Sequence, residues 1–308
     1  MKKFVQHLAV LSLIIALPFV CGAEAAPADG FKVTSPNGAP GLALAMLAVD
    51  HPDNYIYVAA ETIPAEFAKG EADFIIAPLN AGAKLYKAGK STYQLAAVVT
   101  WGNLYFASQK EDFALEDING GSVTLFGENT VNSSVALYAL TASGVTPQTV
   151  EYLASAANTQ ALLLSDENAV VLTAEPALSA AKMKNEKITA YAVNDLYKKA
   201  SGFDGYTQAG LFVRGDLAES QPEKVNAFLL EAQEACGKCA SDTAAVAEAA
   251  VKLGILPNAK VAMNAIPNCA IRYLAAPEAR EQVEATAKID LAQYGGAVPA
   301  DSFYYGAK

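Results

Sequence analysis

Polar residues and glycines that could hold a small molecule follow two early predicted strands. Asn37 and Gly38 lie between a strand and a helix. Free backbone N–H groups there can donate to a ligand oxygen, although the same residue types also form ordinary turns. Leu79 and Asn80 come directly after Pro78, at the end of a second strand. Asn80 could cap the next helix, or its carboxamide could bind a donor–acceptor pair on a heterocycle. These loops therefore predict binding of a small solute.

Further candidate contacts lie later in the chain. Trp101 is the only tryptophan, and such a ring either packs in a core or forms an aromatic wall for a ligand. Asn129 and Thr130 precede a helix and can cap it while its N–H groups face a ligand. Glu175 opens another helix, where it either stabilises the helix dipole or accepts from an amine or amidine. Gln208 is one more candidate contact with the ligand.

The sequence does not predict a catalytic set. His51 is the only histidine beyond the N-terminal segment, and no nucleophile or orienting partner can be named beside it. Ser133 and Ser134 lack the glycines of a nucleophile elbow. We therefore expect no enzyme activity, no cofactor and no metal site.

Three cysteines follow the N-terminal segment, namely Cys236, Cys239 and Cys269. The first two have the spacing of a redox motif, but no strand leads into them as in a thioredoxin-like unit. A disulfide from either of them to Cys269 would close a loop of roughly 30 residues. The alternative is a zinc or redox site, although zinc would need a fourth ligand and no histidine lies nearby. We favour the disulfide.

The first 25 residues have the features of a signal peptide. Two lysines near the start precede an apolar core over residues 8–20, and small residues allow cleavage after Ala25. The apolar core is shorter than the ~20 residues that span a bilayer. We expect export to the periplasm or the cell surface. Lipid anchoring at Cys21 is the disfavoured alternative, because Val20 stands where a lipoprotein signal has a small residue.

The charge of the chain restricts its partners. The formal net charge is −10, which excludes nucleic acid because phosphates need a basic surface. Arginine occurs only at Arg214, Arg272 and Arg280. A protein that binds a carboxylate or sulfonate usually commits a planar arginine to it. The scarcity of arginine favours a neutral or weakly cationic ligand, although helix N-termini can also hold anions.

The order of predicted elements alternates strand and helix almost throughout. The length of 308 residues is enough for two domains of ordinary size. Hydrophobic residues make up 53% of the chain, which is typical of an ordered globular protein. Such alternation predicts an α/β fold in which helices cover both faces of open sheets. Ligands of such sheets bind at the carboxyl ends of the strands.

The motifs resemble those of ABC-transporter substrate-binding proteins, in the branch that contains sulfonate, nitrate and thiamine-pyrimidine binders. The matching segments, in chain order, are Ser35-Pro-Asn-Gly-Ala-Pro40, Gly70-Glu-Ala-Asp73, Ile76-Ala-Pro-Leu-Asn80, Trp101-Gly102, Asp117-Ile-Asn-Gly-Gly-Ser-Val123, Thr173-Ala-Glu-Pro176, Ala265-Ile-Pro-Asn-Cys269 and Gly295-Gly-Ala-Val-Pro-Ala-Asp-Ser-Phe-Tyr-Tyr305. The resemblance as a whole covers essentially residues 31–305.

This resemblance implies a two-lobed type II periplasmic-binding fold with a central cleft and two crossovers. Lobe one would hold residues 26–100 plus 210–308, and lobe two residues 101–209. The implied partners are a small-molecule ligand, a membrane permease and its ATPase, and the protein is expected to be a monomer. A hinge motion at the crossovers would close the cleft.

The ligand class follows from the candidate contacts. Trp101, Glu175 and the acidic balance favour a small nitrogen-bearing heterocycle such as a pyrimidine. A sulfonate or similar small anion held by helix N-termini is the alternative. Two other functions stay open, namely a sensory module that presents its ligand to a receptor, and an enzyme similar to thiamine-pyrimidine synthases.

Overall fold

The computed structural model describes residues 30–307, so the predicted signal peptide and Cys21 lie outside the described residues. Eleven strands form two sheets in this part of the chain. Their bounds are β1 Val33–Pro36, β2 Tyr55–Val58, β3 Phe74–Pro78, β4 Gln94–Thr100, β5 Leu104–Ser108, β6 Ser122–Phe126, β7 Thr149–Leu153, β8 Val170–Ala174, β9 Thr189–Ala192, β10 Ala209–Val213 and β11 Ile271–Ala275.

Thirteen α-helices accompany these strands in the described residues. Their bounds are α1 Ala39–Leu42, α2 Ala45–Asp50, α3 Ile63–Lys69, α4 Leu79–Lys87, α5 Val131–Ala142, α6 Ala156–Ser165, α7 Ala177–Lys182, α8 Val193–Ser201, α9 Gly215–Ser220, α10 Pro222–Ser241, α11 Thr243–Lys252, α12 Ala259–Ala265 and α13 Ala276–Ile289. Short 3₁₀ turns fill several of the connections.

The first sheet has the strand order β11-β4-β10-β3-β1-β2. Strand β1 pairs in parallel with both β2 and β3, whereas β10 runs antiparallel between β3 and β4. Strand β3 is buried from Phe74 to Ala77 without alternation, as expected for a strand covered by helices on both faces. The carboxyl ends of β1 and β3 therefore lie beside the start of β10.

The second sheet has the order β7-β6-β8-β5-β9 and repeats this pattern. Strand β6 pairs in parallel with β7 and β8, and β5 is the antiparallel strand between β8 and β9. All five strands come from residues 104–192, whereas the first sheet takes its strands from both sides of that range. Ala209 already pairs with Pro78 and Thr100 in the first sheet, one residue before the predicted boundary. The lobe boundaries themselves remain a prediction.

Two chain segments connect the sheets, and they pack against each other. The first is Trp101-Gly102-Asn103, between β4 and β5, and the second leads from α8 through Tyr206 to β10. The Asn194 side-chain amide donates to the carbonyls of Trp101 (2.7 Å) and Gly102 (2.8 Å). One apolar cluster includes Trp101 and Tyr206 together with core residues of both sheets. The crossovers are therefore part of the core.

The sequence pattern predicts that the C-terminal third is mostly helical, and the largest difference between this prediction and the structure lies there. The structure adds the edge strand β11, which pairs antiparallel with β4. Ile271 to Ala275 show no fully buried residue, so the segment lacks the apolar run of a central strand. The sequence also predicts one helix over residues 41–49, whereas the structure has two short helices there, interrupted at Ala43 and Leu44.

Candidate functional site

A cleft of about 340 Å³ lies at the carboxyl ends of β1 and β3, facing the start of α5. Prolines, small residues and carboxamides form its walls. The lining residues are Pro36, Asn37, Pro40, Ala60, Pro78, Asn80, Ala81, Thr130, Val131, Asn132, Gln208 and Ala209. None of these side chains is ionisable. Its volume is at the lower end of the range for small-molecule sites.

Two helices begin at this cleft, one beside each sheet. In α4, the N–H of Leu79 donates to the Gln208 carbonyl (3.0 Å). In α5, the N–H of Ser133 donates to Thr130 Oγ1 (3.5 Å), and the Ser133 hydroxyl accepts from the Thr130 N–H (3.4 Å). Since the first four N–H groups of a helix have no intrahelical acceptor, other opening N–H groups of both helices are left for a ligand.

Those remaining N–H groups belong to residues on the cleft wall. They are the N–H groups of Asn80 and Ala81 in α4 and of Val131 and Asn132 in α5. The macrodipoles of both helices place partial positive charge at these ends. Partial positive charge of two helix N-termini is therefore present at the cleft, although no cationic side chain lines it.

Three carboxamides form a hydrogen-bonded chain at the cleft. Asn103 Nδ2 donates to the Glu175 carbonyl (2.9 Å), and Gln208 Nε2 donates to Asn103 Oδ1 (3.0 Å). Gln208 Nε2 also lies 3.5 Å from Asn132 Oδ1, and the Tyr206 hydroxyl lies 3.4 Å from the same oxygen. The carboxamide chain links the first crossover, the loop after β8, the second crossover and α5. A ligand that contacts both Asn80 and Asn132 across the cleft would therefore touch both predicted lobes.

No protein-family model and no curated protein matches the sequence. Solved structures do share its architecture. An ABC transporter from Parabacteroides distasonis is 21% identical and has a TM-score of 0.77, over 90% of this chain and 99% of that one. The periplasmic aliphatic sulphonate binding protein SsuA from Escherichia coli is 17% identical with a TM-score of 0.69, over 90% and 92%.

A third similar structure is the alkanesulfonate-binding protein SsuA from Xanthomonas axonopodis pv. citri bound to MOPS. It is 17% identical with a TM-score of 0.62, over 88% of this chain and 94% of that one. The chain has the periplasmic-binding-protein fold. The predicted two-lobed type II class is confirmed, and the resemblance to ABC-transporter binding proteins is confirmed at the level of the fold.

Four of the predicted binding residues line the cleft of this periplasmic-binding fold. They are Asn37, Asn80, Thr130 and Gln208. Gly38 is the neighbour of Asn37 and caps α1 with a φ of 89°. The other four, Leu79, Trp101, Asn129 and Glu175, lie outside the lining. Leu79 is fully buried in the core, and Asn129 is exposed with a φ of 56°.

Trp101 is packed into the first crossover. Its side chain is 2% exposed, and the Arg272 guanidinium lies 4.4 Å from the ring centroid. The indole Nε1 donates to the Arg272 carbonyl (2.8 Å). The ring face predicted for ligand stacking thus contacts an arginine of the same chain, in a cation–π contact.

Glu175 stabilises the start of α7. Its carboxylate accepts from the N–H (3.1 Å) and the hydroxyl (2.9 Å) of Ser179. The side chain is buried, and this burial raises the pKa of the Glu175 carboxyl, against the smaller lowering effects of Ser179 and Lys182. The Glu175 carboxylate therefore stabilises the N-terminus of α7, which is one of the two roles that the sequence allows.

The raised pKa of Glu175 predicts a pH-dependent effect of Glu175→Gln. The native state binds the proton more tightly than the unfolded chain, so ionisation of Glu175 lowers the free energy of unfolding as pH rises through the folded pKa. The variant should be more stable than the parent at pH 7.5, and this gain should disappear at pH 4. Thermal unfolding at the two pH values measures the difference. A variant that is less stable at pH 7.5 would show that hydrogen bonds to the charged form outweigh its burial.

The sequence interpretation did not select Asn132 and Asn103. Asn132 is the second residue of α5, and Asn103 is 5% exposed beside Glu175. A signal for Asn132 was present, since the first turn after the Thr130 cap must present free N–H groups. Asn103 had none, because its partners lie 72 and 105 residues away.

The three cysteines are free thiols in the structure, so the predicted disulfide to Cys269 is not present. All three are buried. Burial raises the pKa of Cys239 to about 12 and also raises those of Cys236 and Cys269. Because the thiolate is the reactive form, these groups are unreactive where they stand. No cluster of potential metal ligands occurs within residues 30–307.

Membrane-spanning helices are also absent from the described part of the chain. None of the helices between residues 30 and 307 is both long and apolar enough to cross a bilayer.

Proposed function

We propose that this protein is the exported substrate-binding component of an ABC importer and that its ligand is a small organic anion such as a sulfonate. One observation carries the ligand class. The opening residues of two helices, α4 beside the first sheet and α5 beside the second, line one cleft, and no acidic side chain is among its lining residues. Paired helix N-termini favour an oxyanion at their meeting point.

The comparisons also support a sulfonate as the ligand, since two of the similar structures are described as sulfonate-binding proteins. Trp101 and Glu175, on which the sequence favoured a nitrogen-bearing heterocycle, contact Arg272 and Ser179 and are not among the residues that line the cleft. The proposed ligand class therefore does not use them. The carboxamides of Asn37, Asn80 and Asn132 keep a neutral heterocycle such as a pyrimidine as the second candidate, because amides pair with ring nitrogens and carbonyls.

The proposal includes partners and motion. A membrane permease and its ATPase would receive the ligand, and the protein would act as a monomer after export. Residues 26–100 plus 210–308 would form one lobe and 101–209 the other. They would close over the ligand by a hinge at the two crossovers. The function assigned is capture and release, without catalysis.

A thermal-shift panel tests the function. Purified protein lacking residues 1–25 is heated with alkanesulfonates, nitrate, short carboxylates, amino acids and pyrimidines. A ligand at a hundredfold excess over its Kd adds about 2.7 kcal/mol, which should raise the Tm by about 5–10 °C. We expect the shift with sulfonates. A shift with pyrimidines alone would establish the second candidate, and no shift with any solute would refute the binding function.

A further inference from the structure

Helix α13 forms a noncovalent connection between the two sheets. It packs against β4 and β11 of the first sheet and also against α5, which lies beside the second. The connection includes a hydrogen bond, because Ser134 Oγ of α5 donates to Oδ2 of Asp290 at the end of α13 (2.7 Å). The backbone itself passes between the sheets only at the two crossovers, residues 101–103 and 202–208. The pair is therefore a third link between the sheets.

The bond between Ser134 and Asp290 is of a strong type. The ionised carboxylate of Asp290 can only accept, so the Ser134 hydroxyl must donate. Its length of 2.7 Å is typical of a hydroxyl donor on a charged oxygen, and such bonds are about twice as strong as neutral ones. Both residues are partly buried, so water competes with this bond less than with a surface contact.

The other contacts of the same turn of α5 are longer. Asn132 Oδ1 lies 3.4 Å from the Tyr206 hydroxyl and 3.5 Å from Gln208 Nε2. Donors and acceptors in well-formed hydrogen bonds lie about 2.5–3.2 Å apart. Among the described residues, the bond from Ser134 to Asp290 is therefore the shortest side-chain hydrogen bond from residues 131–134 to another part of the fold.

This bond lies directly behind the cleft. Val131 and Asn132 line the cleft, and Ser134 is the fourth residue of the same helix, turned by about 200° from Asn132. Asp290 therefore holds the first turn of α5 from the side away from a ligand. The 3₁₀ turn that follows Asp290, Leu291–Tyr294, packs against α4. A short path of contacts thus joins the two helices whose opening residues line the cleft.

We propose that Asp290 is a positioning residue of the binding site, which acts through Ser134 and sets the position of the start of α5 relative to α4. This inference rests on the proposed function, in which one solute contacts the start of both helices. Without the bond, the two sheets should separate more readily by rotation at the crossovers. A ligand would then bind a less populated closed arrangement, which lowers its apparent affinity.

The separation of the sheets can be measured without any ligand. Glu61→Cys and Glu128→Cys place spin labels at two exposed positions next to the cleft, one beside each sheet. Pulsed electron paramagnetic resonance then gives the distance between the labels in the protein lacking residues 1–25. The three native cysteines of this protein are buried and should stay unlabelled. We expect Ser134→Ala and Asp290→Ala each to shift the distance distribution to larger values.

Three further variants separate positioning from a general loss of stability. Asp290→Asn keeps an oxygen that accepts from Ser134, so its distance distribution should match that of the parent. The combined Ser134→Ala and Asp290→Ala protein should differ from the parent no more than either single variant, because both changes remove one bond. Ser165→Ala is the matched control, since the exposed Ser165 hydroxyl bonds only the Leu162 carbonyl of its own helix.

Calorimetric titration with ethanesulfonate gives the second measurement. We expect Ser134→Ala to bind about tenfold more weakly than the parent, and Asp290→Asn to stay within about threefold of it. Equal distance distributions in the parent and Ser134→Ala, or equal affinities, would overturn the positioning role. Shifted distances in a protein that binds no sulfonate would refute the proposed ligand class, and the control of the cleft by Asp290 would stand.

Discussion

Asn132→Asp should weaken sulfonate binding by at least about 100-fold without destabilising the protein. The new carboxylate has the shape of the old carboxamide and can still accept from Gln208 Nε2 and the Tyr206 hydroxyl. It replaces the Nδ2 donor with a negative charge in the cleft wall. Two like charges about 4 Å apart repel by roughly 4 kcal/mol at the effective dielectric near a protein surface, which exceeds the roughly 2.8 kcal/mol of a 100-fold change.

Stability should change in the opposite direction. Asn132 is the second residue of α5, where a carboxylate interacts favourably with the helix dipole by about 0.3–1 kcal/mol. We therefore expect an equal or higher Tm in the absence of ligand. Calorimetric titration and thermal unfolding of the same preparation measure both effects. Loss of affinity combined with gain of stability would identify a direct charge effect at the ligand.

Asn158→Asp is the matched control. Asn158 is the third residue of α6, a helix that, like α5, lies in the part of the chain that forms the second sheet. Its exposed side chain is not among the residues that line the cleft. The Asn158→Asp variant introduces the same charge in the first turn of a helix, so a long-range repulsion of the anionic ligand would weaken binding in both variants. If Asn132→Asp binds sulfonate as well as the parent, the anion does not occupy the start of α5. If the Asn132→Asp variant instead gains affinity for a cationic ligand, the ligand of this cleft is a cation and not an anion.

Local signals explain which elements could be predicted from sequence. The sequence predicts a helix over residues 63–69, a strand over residues 122–126 and a helix over residues 131–142, and the structure has all three elements with these bounds. Gly70 ends the first with a φ of 66°, and the Thr130 side chain caps the last. Strand β11 had no such signal, because its pairing with β4 joins residues about 170 positions apart. Its edge position leaves every residue partly exposed.

The same distinction applies to the site. Asn37 and Asn80 follow the neighbouring strands β1 and β3 of the first sheet, and Thr130 follows β6 of the second. Ligands bind at the carboxyl ends of such strands, so strand order and loop position were enough to predict these residues. Trp101 was a different case. Whether its ring faces a ligand or an arginine is decided by Arg272, which approaches from β11, 171 residues later. This non-local packing at the crossovers could not be predicted from the sequence.

Gly102→Ala should lower the stability of the protein by about 3 kcal/mol. Gly102 has a φ of +83°, and a Cβ there would lie 2.2 Å from Tyr206 Cε1 and 2.7 Å from Asn194 Oδ1. The left-handed backbone costs a residue with a Cβ about 1–2 kcal/mol, and overpacking of a filled core adds about 1–3 kcal/mol. At about 2–4 °C per kcal/mol, the Tm should fall by about 6–12 °C.

Gly237→Ala is the control for the glycine-to-alanine change itself, at a position with neither a left-handed backbone nor a close neighbour. Gly237 lies within α10, where a Cβ would meet no heavy atom within 4 Å and φ is not positive. Alanine there should stabilise the helix by about 0.5–1 kcal/mol, so the two variants are expected to shift the Tm in opposite directions. A Gly102→Ala protein with unchanged Tm would mean that Tyr206 moves freely, and the crossovers would then not be packed against each other as a rigid pair. A loss confined to Gly102 and larger than the about 1–2 kcal/mol of the left-handed backbone alone would instead show that the Tyr206 ring fills the space beside Gly102 and that the two crossover segments are closely packed.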